Sequence, residues 1–303
     1  MAQMVIHEVG PRDGLQMERQ VVPLDTKEDW IRRAMESGMD IVQVGSFVHP
    51  VKVPQMADTD ELIRRLVGNK SPTVTLAGLA LNERGVERGL ECGVEMLCLG
   101  ASASETHSQK NTGMATMEAT YRIIGAAEHA LAEGKKVQVS VQSAFGCGFE
   151  GPIPEERVLE MVGAYIEAGL FNISLADTAG HAYPAQVERL FAAVFDLDPR
   201  IECTCHFHNT YGLGMANIMA AMRAGVGSFE TSFAGLGGCP FTKVAAGNVA
   251  TEDFVNALQL QGLRQDVDLD SLIDLAGDVA EYFDREMPGC VYKTGAIGKK
   301  VAA

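Results

Sequence analysis

Two histidines one residue apart, His206 and His208, are the strongest chemical signal in this 303-residue chain. Side chains of a β-strand alternate between its faces, so residues i and i+2 point the same way. On a strand, these two imidazoles stand side by side and can bind one metal ion. Arg12-Asp13-Gly14 near the start adds a carboxylate, and Gly237-Gly238-Cys239-Pro240 near the end adds a thiol in a Gly-rich segment. If Asp13 joins the histidines, the site is assembled from distant parts of the chain, which only a closed architecture brings together.

The elements that would do so are legible. Short apolar runs begin at Val5, Ile41, Thr73, Met96, Val137, Asn172, Glu202 and Ser228. They recur roughly every 30 residues, the size of one βα unit. Helical stretches separate them. Asp25–Ser37 starts acidic and meets Gly38; stretches ending near Ala132, Ala168 and Ala224 meet Gly134, Gly169 and Gly225. Eight alternating units predict an α/β fold, a (β/α)₈ TIM barrel. An open doubly wound sheet is the alternative, but no Gly-rich dinucleotide turn follows the first run. Leu269, Leu272, Ile273, Ala276, Val279, Ala280 and Phe283 recur at helical spacing, predicting a C-terminal helical extension. The expectation is one domain over 1–303, with the barrel at about 1–260 and the extension and tail at about 261–303. The tail from Pro288 reads as mobile. Barrel enzymes place their chemistry at the C-terminal strand ends, where Arg12, Asp13, Gln43, Ser46, Asp177, His206 and His208 fall.

A hydrophobic share of 47% supports a sizeable core, and a net charge of -15 argues against a duplex nucleic-acid partner. No run is long enough to span a bilayer and no signal peptide is visible. Seven cysteines, an odd number without small-domain disulfide spacing, point to a reduced cytoplasmic protein.

The ordered motifs resemble the 3-hydroxy-3-methylglutaryl-CoA lyase family, metal-dependent barrels related to isopropylmalate and homocitrate synthases. The matching segments start with Val9-Gly10-Pro11-Arg12-Asp13-Gly14-Leu15-Gln16, Ser46-Phe47-Val48 and Val53-Pro54-Gln55-Met56. They continue through Gly146-Cys147, Ser174-Leu175-Ala176-Asp177-Thr178 and His206-Phe207-His208-Asn209-Thr210-Tyr211-Gly212. They finish with Ala234-Gly235-Leu236-Gly237-Gly238-Cys239-Pro240 and Gly247-Asn248-Val249-Ala250-Thr251-Glu252-Asp253.

The resemblance implies a divalent cation on Asp13, His206, His208 and Asn248. Mg²⁺ or Mn²⁺ suits that mixed donor set, with Zn²⁺, Co²⁺ or Fe²⁺ also able to bind. It implies cleavage of a 3-hydroxyacyl-CoA to acetyl-CoA or a homologue plus a keto compound. Arg12 would stabilise the enolate, Cys239 would supply a proton, and His206 or Asp13 would take the hydroxyl proton. Asp177 would orient the site, unless it is a helix cap. A homodimer is implied as well. Lys110 and Asn111 sit in a loop that either meets CoA phosphates or is simply solvated. His7, His49, His107 and His181 read as packing or surface residues.

The pattern breaks on one wall. The family has a glutamate where this chain has Gln43, threonines at Val44 and Gly45, a tyrosine at Ser140, and a Ser-Cys pair at Gln142 and Ser143. Gln43, Ser46, Ser140, Gln142 and Arg12 are therefore the expected substrate contacts. A changed acyl group is the expectation, citramalyl-CoA or a branched 3-hydroxyacyl-CoA being examples. A Claisen-type synthase joining acetyl-CoA to a 2-oxo acid is the first rival; Cys239 speaks against it. A non-catalytic protein that binds metal or acyl-CoA is the second; Gln43 is its best support.

Overall fold

The computed structural model describes residues 4–238 and 247–297. Eight parallel strands close into a barrel: β1 (Val5–Glu8), β2 (Ile41–Ser46), β3 (Thr75–Leu79), β4 (Met96–Ser102), β5 (Lys136–Gln142), β6 (Asn172–Asp177), β7 (Glu202–Phe207) and β8 (Ser228–Thr231). The helices are α1 (Leu24–Glu36), α2 (Thr59–Val67), α3 (Glu83–Cys92), α4 (Glu105–Thr112), α5 (Thr116–Ala132), α6 (Glu155–Glu167), α7 (Pro184–Phe195), α8 (Gly214–Arg223), α9 (Thr251–Leu260), α10 (Leu269–Tyr282) and α11 (Val291–Thr294). The expected (β/α)₈ barrel is thus present. β3 starts two residues later than its apolar run, because the Val74 N–H turns back to the Ser71 carbonyl. Lys110 and Asn111 lie in α4 rather than in a loop, with the Lys110 ammonium 3.8 Å from the Phe149 ring centre.

Strand alternation sorts two environments. Ile6, Val42, Leu97, Val139, Ile173, Cys205 and Phe229 belong to the large core between strands and helices. Ala77, Leu79, Met96 and Cys98 form a separate small cluster inside the barrel. Barrel interiors are usually filled by branched apolar residues. Here that filling centres on β3 and β4, with Ile41 of β2 packed against it, while buried His7, Gln43, Gln138, Ser174, Thr204, His206 and Glu230 are polar.

The C-terminal extension docks on α1. Trp30 meets Tyr282 edge-on, with ring centres 5.3 Å apart. The expectation of a mobile tail fails over residues 288–297. The Asp253 carboxylate accepts N–H bonds from Cys290 at 3.0 Å and Val291 at 2.7 Å, so α11 is pinned to α9.

Two buried acids tie the loops over the barrel mouth together. Glu8 accepts from the Gly10 and Phe233 N–H groups, at 2.6 and 3.0 Å, and from the Thr251 hydroxyl at 2.6 Å. Glu252 accepts from the Ala234 N–H at 3.0 Å. Ala234 sits at φ 58, a left-handed conformation that costs a non-glycine residue energy. Burial pushes Glu8 up to about 7 and Glu252 up to about 8. Both exceed an unfolded glutamate, so the folded chain holds these protons more tightly. The stability they contribute is complete below the unfolded pKa and is lost as pH rises through the folded one. Each pKa unit is about 1.4 kcal/mol. Glu252→Gln keeps the acceptor for Ala234 and removes the titration. The wild-type Tm will fall more steeply between pH 5 and 8.5 than that of the variant, by about 2–4 °C for each kcal/mol retained. Parallel slopes in calorimetry contradict this reading.

Candidate active site

The turn after β1 aims two charged side chains over the barrel. The Val9 carbonyl accepts N–H bonds from Arg12, Asp13 and Gly14, at 3.1, 2.8 and 3.3 Å. This winds Gly10–Gly14 into a single wide π-type turn, a device frequent at functional sites. Across the mouth, β7 delivers His206, and His208 follows it in an isolated bridge to Asn248.

The three metal-ligand types expected to meet do meet. The donor atoms of Asp13, His206 and His208 lie within 4.8 Å of one another. The two Nε2 atoms are 3.0 Å apart, and Asp13 Oδ2 is 3.5 Å from His208 Nε2 and 3.9 Å from His206 Nε2. Donors bound at about 2.1 Å to a single ion sit about 3–4 Å apart for bond angles of about 90–145°. The cluster therefore fits one divalent cation. Asn248 is turned otherwise: its Nδ2 donates to Asp13 Oδ2 at 2.9 Å and to the Leu236 carbonyl at 3.0 Å. Its Oδ1 is buried without a partner, so ligation through oxygen requires a half-turn of the amide. Gly237, at φ 125, leaves room for that amide, since a Cβ there would sit 2.5 Å from Asn248 Nδ2.

Charge is tightly arranged. Burial would raise the Asp13 carboxyl, but the Arg12 guanidinium, 2.5 Å away, and the two histidines hold it well below the usual carboxylate range. Arg12 also donates through Nε to the Gln43 side-chain oxygen. Burial alone would lower His206; its 2.7 Å bond to Glu230 and the Asp13 charge reverse this and raise it. Burial lowers His208, and Asp13 does not restore it.

Glu230, on β8, was not foreseen as part of the site. It accepts from His206 Nδ1, which leaves Nε2 with the lone pair facing Asp13 and His208. Its other oxygen is 3.4 Å from His7 Nδ1, so His7 belongs to this buried row rather than to plain packing. Burial lowers His7 to about 4, keeping it neutral. The signal in the sequence was an acid at an inward position, one residue after core-facing Phe229. Glu230→Gln keeps the shape and removes the charge. Metal affinity will drop about 10–100-fold, measured by titration calorimetry; an unchanged Kd contradicts the role.

One cavity of about 260 Å³ gathers Arg12, Asp13, Gln43, Ser140, Gln142, His206 and His208, with Gln138, Ser174, Leu79, Leu81 and Cys98 unforeseen. Gln138 is fixed at its floor by a 2.9 Å bond to the Thr204 hydroxyl. Ser46, expected as a substrate contact, and Asp177, expected to orient the site, are not among the residues lining it. Ser46 is fully buried, with its main-chain N–H held by the Thr59 hydroxyl. Asp177 spends both carboxylate oxygens on its own loop, accepting from the His181 and Ala182 N–H groups at 2.8 and 3.1 Å. Its neighbours Ala176 and Thr178 line the cavity instead; Asp177 braces the turn ahead of α7 and does not cap that helix, whose N-cap is Tyr183. Burial raises Asp177 to about 7. Cys239 lies outside the described residues.

The chain is similar to known proteins over nearly its whole length. A family model described as HMGL-like matches residues 3–279. The hydroxymethylglutaryl-CoA lyase of Bacillus subtilis is 35% identical over 285 residues, covering 94% of this chain and 95% of that protein. The (R)-citramalyl-CoA lyase of Chloroflexus aurantiacus is 34% identical over 311 residues, covering 100% and 98%. A solved HMG-CoA lyase from A. baumannii, in complex with coenzyme A and 3-methylmalate, superposes with TM-score 0.92 at 36% identity, covering 99% of this chain and 98% of that one.

Proposed function

The chain belongs to the HMGL-like family, and from that premise we propose that its barrel mouth cleaves the C2–C3 bond of a 3-hydroxyacyl-CoA, as a carbon–carbon lyase. The observation that carries this is the meeting of Arg12 with the Asp13–His206–His208 cluster in one cavity. A bound divalent cation, for which we propose Mg²⁺ or Mn²⁺, supplies a Lewis acid that lowers the pKa of the substrate's 3-hydroxyl. Asp13, His206 and His208 would hold it, with Asn248 completing the set.

The chain's own groups do the rest. Asp13 or His206 takes the hydroxyl proton. Arg12, always charged and fixed in plane by Asp13 and Gln43, stabilises negative charge developing on the thioester oxygen. Cys239 is the proposed acid that protonates the enolate carbon, giving acetyl-CoA or a homologue. A neighbouring cavity of about 650 Å³ shares Met17 and Gly238 with the first and carries Arg19, Glu286 and Arg285, the last paired with Glu18 at 2.5 Å. Its continuity with the first cavity supports it as the path of the CoA moiety.

Gln43 and Ser140, where the family has glutamate and tyrosine, support an acyl group other than 3-hydroxy-3-methylglutaryl, citramalyl-CoA among the candidates. The six described cysteines are all unpaired, which favours a cytoplasmic setting. Among the described residues no helix is long and apolar enough to cross a membrane.

Mass spectrometry of products from a panel of 3-hydroxyacyl-CoA thioesters with Mn²⁺ tests the proposal. Acetyl-CoA plus a keto compound is expected, with at least one thioester cleaved faster than 3-hydroxy-3-methylglutaryl-CoA. Preference for that thioester contradicts the changed acyl group. CoA release only from acetyl-CoA with 2-oxo acids contradicts the lyase direction.

A further inference from the structure

The central cavity opens on a second side that the reaction as described leaves unused. Leu81 and Asn111 line both it and a cavity of about 690 Å³ under the loops that follow β2 and β3. The inner wall there is largely hydrocarbon, from Val48, Val53 and Leu81, with Asn82 and Asn111 as its polar residues. The same apolar surface continues into the central cavity as Leu79 and Cys98, opposite the polar row on β5. Further out the groove is cationic, through Lys52, Arg84 and Arg88, and Asp60 is the one acid among its described lining residues. Arg88 is committed to Asp60 at 2.9 Å and to the Val48 carbonyl at 2.8 Å. Among the described residues, no hydrogen bond or ion pair engages the side chain of Lys52 or Arg84. On a chain of net charge -15, two unspent cations at the end of an apolar passage from the reacting centre are selective for an anion.

We propose, building on the lyase reading above, that this groove receives the far end of the acyl group. The substrate class is a 3-hydroxyacyl-CoA whose carboxylate-ended C3 substituent is longer than the carboxymethyl of 3-hydroxy-3-methylglutaryl-CoA and apolar along its length. The stem lies on Val48, Val53 and Leu81, and the carboxylate meets Arg84 and Lys52. Cleavage needs no co-reactant. The C2–C3 bond breaks, the 3-hydroxyl loses its proton and becomes the ketone of a long keto acid, and C2 gains a proton to leave as acetyl-CoA. The CoA moiety exits on the opposite side, past Met17 and Gly238.

The test compares three thioesters on the metal-loaded enzyme: 3-hydroxy-3-methylglutaryl-CoA, a homologue whose carboxylate-ended chain at C3 is longer by several methylenes, and one with a plain alkyl chain of that greater length. The longer carboxylate-ended thioester is expected to have the highest kcat/KM, at least about tenfold above 3-hydroxy-3-methylglutaryl-CoA. Arg84→Ala and Lys52→Ala, both at exposed positions, should each erode that preference at least about fivefold while the inhibition constant of free CoA stays put. Cleavage of 3-hydroxy-3-methylglutaryl-CoA with no gain from the longer carboxylate-ended chain overturns the groove assignment and leaves the lyase reading standing. Weakened inhibition by free CoA in Arg84→Ala also overturns it, because the groove would then hold the nucleotide. Failure to cleave any of the three overturns the lyase reading and this inference with it.

Discussion

Asp13→Asn abolishes turnover and metal retention together. The substitution keeps the size of the side chain but removes the charge that faces both histidines and Arg12. Loss of an outer partner such as Glu230 costs about 10–100-fold in affinity; loss of the only acid in the donor cluster costs more, about 10³-fold or beyond. It also leaves the Arg12 guanidinium without its charge partner, adding repulsion toward any cation. The check is metal content after dialysis, paired with turnover of the best thioester. A variant that retains stoichiometric metal, or that turns over within tenfold of wild type, removes Asp13 from the centre of the account.

Arg12→Lys has the second largest effect, and it separates chemistry from metal binding. Arg12 bridges Asp13 and Gln43 at once, which a lysine ammonium on a flexible stem cannot reproduce with the same planar geometry. The charge beside Asp13 survives, so metal affinity stays within a few-fold. Donors that stabilise developing negative charge are worth about 10²–10³ in kcat, so kcat falls by about that factor with a smaller change in KM. A fall in KM-limited binding with kcat intact would recast Arg12 as a substrate anchor. A collapse in metal affinity would make it a support for Asp13 alone.

The strongest parts of this site were legible for physical reasons. His206 and His208 share a face because a strand repeats every two residues, and barrel closure brings the β1 turn against the β7 end. What stayed hidden was direction at strand ends. Asp177 sits beside the cavity in sequence, but alternation gives Ser174 and Ala176 the inward face, and the carboxylate turns to its own loop. At β2 the register shifts between Gln43 and Gly45, so a simple alternation counted from Gln43 cannot place Ser46. Glu230 was hidden by its short strand, in which one buried acid looks like a strand-end residue until β7 is beside it. The tail from Pro288 lacked any apolar periodicity; what holds it is the Asp253 carboxylate accepting two N–H bonds, the Gly289 N–H on the Ala234 carbonyl, and buried Val291 and Ala296.

The interior of the barrel explains why one wall can change while the site persists. The proposed donors and their partner acid lie in the turn after β1, at and just past the end of β7, and on β8, whereas Gln43, Gln138, Ser140 and Gln142 come from β2 and β5. Strands in a parallel barrel are joined by backbone ladders, so side chains on β5 can vary without moving the donors, while Gln43 is tied to them through Arg12. This separation is the physical basis for expecting conserved chemistry on an altered acyl group.

The account rests most directly on where the cation sits, and electron spin echo spectroscopy of the Mn²⁺-loaded protein reads that. Nitrogen modulation from two imidazoles is expected, reduced to one in His208→Ala. Stoichiometric Mn²⁺ without imidazole nitrogen modulation would place the ion away from His206 and His208 and contradict the account.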